Sequence, residues 1–289
     1  MNYRHHFHAG NFADVLKHAL LARLVRALQK KDKGCLLLDT HAGRGAYDLA
    51  AAATGDSLAR RPEWPEGIGR IFARADAPAL LNDYLSAVRA WNVERGAAAG
   101  AVRFYPGSPV LLARLARPQD RIVACERQPA ECAALREELQ FTAGVTVREM
   151  DGYEAVRAWL PPPERRALVL IDPPFEGERE FADIARALSA GLRRLAGGVF
   201  AVWYPLTERA RVEEFFAEVR PLRPPPTLGV DLMIAGPGAG MKMKGCGLLV
   251  VNPPWQFERE AAEVAAFLGG ALAQAPGGGG RVEWVVREG

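Results

Sequence analysis

The sequence has no apolar run long enough to span a bilayer, and its opening "MNYRHHFHAG" lacks the hydrophobic stretch of a signal peptide. Neither a membrane segment nor a secretion signal is expected. Cysteine is scarce: Cys35, Cys125, Cys132 and Cys246 form no C-x-x-C pair, and Cys35 and Cys125 lie inside apolar, strand-like runs. That pattern favours reduced thiols in a cytoplasmic protein over a disulfide framework or a zinc site. No internal repeat emerges beyond two Pro-Pro tetrapeptides, and no bound metal is expected. Overall charge is also small, +3 over 289 residues.

What charge there is sits unevenly. Residues 1 to 33 hold seven Lys or Arg against Asp14 and Asp32, a local +5 that leaves −2 for the remainder. All five histidines fall within the first 41 residues. Such a segment is either a solvated helix face or an anion-binding face, with nucleic acid the first candidate anion. Apolar residues make up 49% of the chain, enough to build the core of one large α/β domain with an insertion or of two modest domains.

The first helix is well marked. Asn11 is placed to cap it, Asp14 follows in the first turn, and Phe12, Val15, Leu16, Leu20, Leu24 and Leu28 recur at helical spacing. Lys30, Lys31 and Lys33 are expected in its last turn, with Gly34 ending it. Next comes "CLLLDTHAGRGAYD", a buried strand followed by a tight turn with the spacing D-x-x-x-G-x-G from Asp39 to Gly45. The third glycine of the dinucleotide fingerprint is absent, because Asp48 stands there, so this turn alone does not decide for a nucleoside cofactor.

In Rossmann-type sites an acid ends the second strand about 20 residues after the glycines and bonds the ribose hydroxyls. The matching strand here is "RIVACE", ending much later at Glu126. Residues 46–100 therefore read as an insertion with a helix from about Ala77 to Glu94, and residues 1–45 with 101–289 as the main domain (1–33 being a basic arm and helix). The interrupted helix resumes at "GSPVLLARLA", with Ser108 as its cap and Pro109 at its first position. Apolar strands then alternate with helices to a terminal helix near Phe257 to Leu272, and "APGGGG" reads as a loop. The pattern implies a mostly parallel sheet covered on both faces.

Ligands of such sheets bind outside the carboxyl ends of the strands. The groups expected there are His41 with the Gly43 turn, Glu126, Asp151 with Gly152, and Asp172 with Pro173 to Phe175. A glycine turn, a ribose acid, a second acid and then D-P-P-aromatic is the layout of S-adenosylmethionine-dependent methyltransferases acting on exocyclic amines. The N6 lone pair of adenine is conjugated with its ring, and an acceptor on each N–H concentrates it on nitrogen. The Asp172 carboxylate and the Pro173 carbonyl are candidates for those acceptors, two prolines keep the backbone extended and free of N–H groups, and Phe175 can stack on the base. A second tetrapeptide, in "LLVVNPPWQ", fits the final strand, expected to run antiparallel to its neighbours, which would put Asn252 and Trp255 at the wrong end of the sheet.

The blocks "YRHHFHAGNFADVLKH", "LDTHAGRGAYDL", "FYPGSP", "LIDPPF" and "WYPL", in this order, closely resemble the bacterial 23S ribosomal RNA adenine-N6 methyltransferases of the RlmJ type, over nearly the whole chain. The resemblance implies an α/β, Rossmann-like S-adenosylmethionine-dependent methyltransferase sheet with a small helical insertion and an N-terminal arm plus helix. By matching motifs, His18 and His41 would contact the cofactor. Ser108, Glu126, and Asp151 with Gly152 would hold its amino acid, ribose and adenine parts between them. Asp172 would be the catalytic acceptor at the methyl group, and Tyr3 would approach the substrate adenosine. The implied partner is 23S rRNA, unassembled or partly assembled, and the implied state a monomer. The family tetrapeptide usually ends in Tyr where this chain has Phe175, and "GPGAGMKMKGCG" replaces the family's loop before the antiparallel strand. Rival readings are a DNA adenine or cytosine amino-methyltransferase and a non-catalytic RNA-binding protein on the same fold. A nicotinamide dehydrogenase is weaker, since the third glycine is missing.

Overall fold

The computed structural model describes residues 7–51, 61–177 and 179–287. In chain order the helices and strands begin with α1 (Phe12–Gln29), β1 (Leu36–Asp39), β2 (Ala46–Asp48), α2 (Ile68–Ile71), α3 (Asn82–Glu94), β3 (Phe104–Pro106) and α4 (Ser108–Leu115). There follow β4 (Arg121–Glu126), α5 (Pro129–Leu139), β5 (Val145–Glu149), α6 (Gly152–Trp159), β6 (Ala167–Ile171), α7 (Glu180–Arg194) and β7 (Val199–Leu206). The last are α8 (Arg209–Val219), β8 (Thr227–Met233), β9 (Gly245–Val251), α9 (Phe257–Ala271) and β10 (Gly279–Val286).

The main sheet has eight strands in the order β10-β8-β9-β7-β6-β1-β4-β5. Parallel pairing runs from β5 through β4, β1 and β6 to β7, whereas β9 is antiparallel to both β7 and β8. Side chains alternate across the pleat. Leu37, Leu168 and Leu170 join one apolar layer with Leu16, Leu20 and Leu111, while Leu36, Leu38, Val169 and Ile171 join the other with Ile184, Leu188 and Phe215. Burial on both faces is what their uninterrupted apolar runs require.

The body of the basic N-terminal helix is not a solvated face, although Lys30, Lys31 and Lys33 after it are exposed. Asn11 does cap it, its side chain accepting from Ala13 and Asp14 N–H, but 14 of its 18 residues are buried. Its cations face inward partners. Arg23 pairs with Asp83 and Glu260, and Arg26 with Asp83, at 2.9–3.3 Å. The helix stops at Gln29, so Lys31 and Lys33 lie past it and Gly34 is not its terminator. Glycine at 34 answers a close approach instead, since a Cβ there would lie 2.0 Å from Gln119 O.

Residues 46–100 contribute to the same apolar layer as α1, through Ile68, Ile71, Leu81, Tyr84 and Val88. They open with β2, which pairs antiparallel with β3. Three further expectations change. Gly107, not Ser108, is the N-cap of α4, and Ser108 is its first residue. The glycine-rich tail is no mere loop: Gly279 begins β10, which runs antiparallel along β8 to the end of the sheet. Consequently β9, which leads into "NPPW", is antiparallel as expected but is not the final strand.

Candidate active site

Strand β1 delivers the chain to the carboxyl edge, where two hydrogen bonds fix the exit. Thr40 donates both N–H and hydroxyl to Leu170 O, at 3.1 and 2.8 Å. The turn that follows is left-handed at Gly43 (φ +59°) and Gly45 (φ +88°), a conformation that glycine adopts without a Cβ penalty. This aims Gly43 N–H at Glu126 Oε2, 2.9 Å away, while Glu126 Oε1 accepts from Gln128 N–H at 2.7 Å. Burial raises the Glu126 carboxyl, and those two N–H groups pull it back. Gly107 N–H donates to Gly45 O at 2.7 Å, so the turn is tied to the start of α4 and buried Ser108 sits beside it.

Behind the turn lies Asp39, fully buried. Burial pushes its carboxyl from 3.8 up to about 7, with the Ser108 hydroxyl offsetting part of that rise. Its folded value exceeds its unfolded one, so folding retains a proton that the unfolded chain releases between those two values. Wild-type stability should therefore fall as pH rises from about 4 to about 7, through this group. Asp39→Asn is expected to remove that dependence, gaining on wild type by a few kcal/mol across the window. Urea midpoints of both proteins from pH 4 to 8 measure it, and parallel curves would mean that Asp39 is charged when folded.

Asp151 divides its two oxygens. It is the N-cap of α6, Oδ1 accepting from Tyr153 and Glu154 N–H at 2.9 and 3.2 Å, while Oδ2 faces Arg127 at 3.6 Å. Gly152 passes so close to the β1 exit that a Cβ would lie 2.2 Å from Thr40 O and 2.7 Å from the His41 ring. His41 contacts the Thr40 hydroxyl at 2.8 Å and meets Tyr153 edge-on at 5.2 Å. Burial lowers it to about 4, against the pull of Asp172 and Asp151. It is a neutral ring at physiological pH.

Asp172 follows β6, and its main partner comes from the far end of the chain. Lys17, from α1, donates to Asp172 Oδ2 at 2.5 Å and also pairs with Asp14 Oδ1 at 2.8 Å. All three are nearly buried, with side chains 3–15% exposed. Burial alone would discharge the ammonium, but Asp14 and Asp172 overcome it and hold Lys17 well above its ordinary value. Asp14 in turn accepts from Gly10 N–H at 2.9 Å. After Pro173 and Pro174, Phe175 adopts a left-handed backbone (φ +50°), uncommon for a bulky residue. Its ring meets Phe181 and Trp203 edge-on at 5.2 and 5.5 Å.

The remaining expected residue of α1, His18, is buried, stacked on Tyr105 at 5.5 Å and bonded to its hydroxyl through Nδ1 at 2.8 Å. Tyr84 of the insertion bonds the same hydroxyl at 2.9 Å. A single cleft of about 1670 Å³ is lined by His18, His41, Ser108, Glu126, Asp151, Gly152, Asp172, Pro173 and Phe175. Nine of the ten expected residues thus meet in one place; Tyr3 lies outside the described residues. Asn252 and Trp255 are absent from its lining, as the antiparallel direction of β9 requires. Lys17 and Trp203 were missed. An i, i+3 Asp-Lys pair just inside the α1 cap was the one local signal for Lys17; Trp203 read simply as strand.

Parallel strands with an acid at the end of the second, bonded to a glycine turn, and an acid before two prolines at the end of the fourth, define a methyltransferase of the Rossmann-like class. The chain belongs to the family described as Ribosomal RNA large subunit methyltransferase D, RlmJ, whose model matches residues 32–286. Ribosomal RNA large subunit methyltransferase J of Escherichia coli K12 is 36% identical over 288 residues, and the protein of the same name from Haemophilus influenzae 35%. Each match covers all of this chain and all of the relative. A crystal structure of protein LPL1258 from Legionella pneumophila superposes with a TM-score of 0.86 at 34% identity, covering 96% of this chain and 98% of that one. No helix among the described residues is long and apolar enough to cross a membrane.

Proposed function

We propose that this enzyme transfers a methyl group from S-adenosylmethionine to the N6 amine of an adenine in 23S ribosomal RNA. The observation that carries the reading is Asp172: it leaves β6 into the cleft, is followed by two prolines, and one of its oxygens is held by Lys17. The residues around it fit the cofactor. Glu126 stands beside the left-handed Gly43 turn, in the position of a ribose acid. Gly152 keeps the floor at Thr40 and His41 free of a Cβ. His18, His41 and Ser108 would hold the amino acid part, Glu126 the ribose, and Asp151 Oδ2 with Gly152 the adenine, because Asp151 Oδ1 is spent on the α6 cap.

When bound, the cofactor supplies an electrophilic methyl group on sulfur. The chain's own residues do the rest. Asp172 Oδ1 and the Pro173 carbonyl accept hydrogen bonds from the two N6–H groups and turn the nitrogen lone pair towards the methyl. Transfer would leave S-adenosylhomocysteine and one surplus N6 proton, which Asp172 Oδ1 would take and pass to solvent. Lys17 fixes the carboxylate's orientation. Phe175 holds the base by its ring face, with Trp203 and Phe181 behind it, and Tyr3 approaches the adenosine. A stacked adenine is out of reach, so the base is flipped out or already unpaired. Most of the acceleration comes from alignment. We read the enzyme as a cytoplasmic monomer acting on unassembled or partly assembled large-subunit RNA.

The test is transfer of a labelled methyl group to 23S rRNA, with the product mapped by nucleoside mass spectrometry. N6-methyladenosine at one position is expected. Label only on duplex DNA, or on a cytosine amine, would sink the reading.

A further inference from the structure

The cleft poses an electrostatic problem for an RNA substrate. Among the described residues its lining carries nine carboxylates against five Lys or Arg. That balance suits a cationic cofactor and repels a phosphodiester. Three of the five cations are already neutralised: Lys17 by Asp14 and Asp172, Arg44 by Glu131 at 2.9 Å, and Arg127 by Asp151 at 3.6 Å. Arg61 and Lys242 alone have no carboxylate partner among the described residues, and both are exposed.

Both have anchored neighbours. Arg61 is two residues from Glu63, whose N–H donates to Phe7 O at 3.0 Å and whose carboxylate takes Asn11 and His8 at 2.8 and 3.0 Å. Lys242 lies in the β8–β9 connection between Met241 and Met243, and both methionines pack against the apolar layer of α1, which leaves the ammonium facing out. The two segments belong to one connected rim. Arg70 donates to Ala273 O at 2.5 Å, and Gln274 N–H to Ile234 O at 2.7 Å, linking the insertion to the end of β8. Ile234 and Gln274 line the cleft as well.

We infer that Arg61 and Lys242 take the phosphates flanking the adenosine that enters the cleft, with Met241 and Met243 as the apolar backing of that contact. The inference rests on RNA being the substrate. It gives the insertion and the β8–β9 connection a common role, supplying cationic contacts on the rim of an otherwise acidic cleft.

Binding of a 23S rRNA transcript across a NaCl series tests it, using wild type, Arg61→Ala, Lys242→Ala and Lys242→Arg. Each alanine variant is expected to weaken RNA binding several-fold and to flatten the log affinity against log salt slope by about 0.7, the signature of one lost phosphate contact. Lys242→Arg should restore the slope. S-adenosylhomocysteine affinity by calorimetry, and kcat at saturating RNA, should stay at wild-type values while KM for RNA rises. Unchanged slopes in both alanine variants, or an equal loss of S-adenosylhomocysteine affinity, would overturn the inference. The activity reading is checked separately in the same samples. Wild type that binds with the expected slopes but methylates no adenine would count against the reaction and not against the phosphate contacts.

Discussion

Asp172→Ala should leave a folded protein that binds S-adenosylhomocysteine and transfers no measurable methyl group to 23S rRNA. The fold should survive because the other buried charge keeps a partner: Lys17 retains Asp14 at 2.8 Å. Asp172 is also the most exposed of the three, at 15%, so its loss leaves no large cavity. Asp172→Asn separates two contributions. The amide still offers a carbonyl oxygen to an N6–H but carries no charge, so a loss of roughly 10²–10⁴-fold is expected if the carboxylate stabilises the positive charge developing on nitrogen. Single-turnover transfer of labelled methyl measures both variants, with thermal melting as the control for folding. An asparagine variant within a few-fold of wild type would mean that the oxygen, and not the charge, is what the reaction uses.

Lys17→Met should damage both stability and transfer. Removing the cation from between two nearly buried carboxylates leaves them facing each other uncompensated, a change that costs about 3–5 kcal/mol in comparable sites. Methionine fills the space of the lysine stem, which confines the effect to charge. Adding Asp14→Asn should return part of the stability, because only Asp172, the more exposed of the two carboxylates, would remain charged. It should return none of the transfer, since the Asp172 carboxylate would still lack the group that orients it. Urea denaturation of the single and double variants reads the first effect and methyl transfer the second. If Lys17→Met were as stable as wild type, the ion pair would be a dispensable surface-like contact despite its burial.

Much of this site was legible because it is built from strand ends. An apolar run, a turn and an acid are local signals, and parallel pairing places each acid on one edge of the sheet. Glu126, Asp151 and Asp172 followed from that rule, as did His41 beside the Gly43 turn. The two Pro-Pro tetrapeptides were told apart by strand direction, and β9 does run against β7. What escaped depends on contacts between distant segments. Lys17 looked like one cation among seven in a basic stretch, and only tertiary structure puts it beside a carboxylate 155 residues away. The first helix carried too many charges to read as buried, yet its arginines are answered by Asp83 and Glu260 from other elements. Strand β10 begins at two glycines, whose low strand propensity hid a segment held by its partner β8. The role of Asp151 as a helix cap was missed because one oxygen can cap while the other faces the cleft.

The separation of Lys17 from Asp172 also has a bearing on how the protein is made. Its acceptor site joins the first helix of the described chain to the end of the sixth strand, so the ion pair cannot close until more than half the polypeptide has been synthesised. Until then the growing chain has a buried-type lysine with only Asp14 to face, and no carboxylate poised for an amine. Fragments that contain the β1 turn and Glu126 but stop short of β6 would lack Asp172 and the strand that carries it. The Lys17–Asp172 pair is thus a contact of long sequence separation, which local helix formation alone cannot bring together.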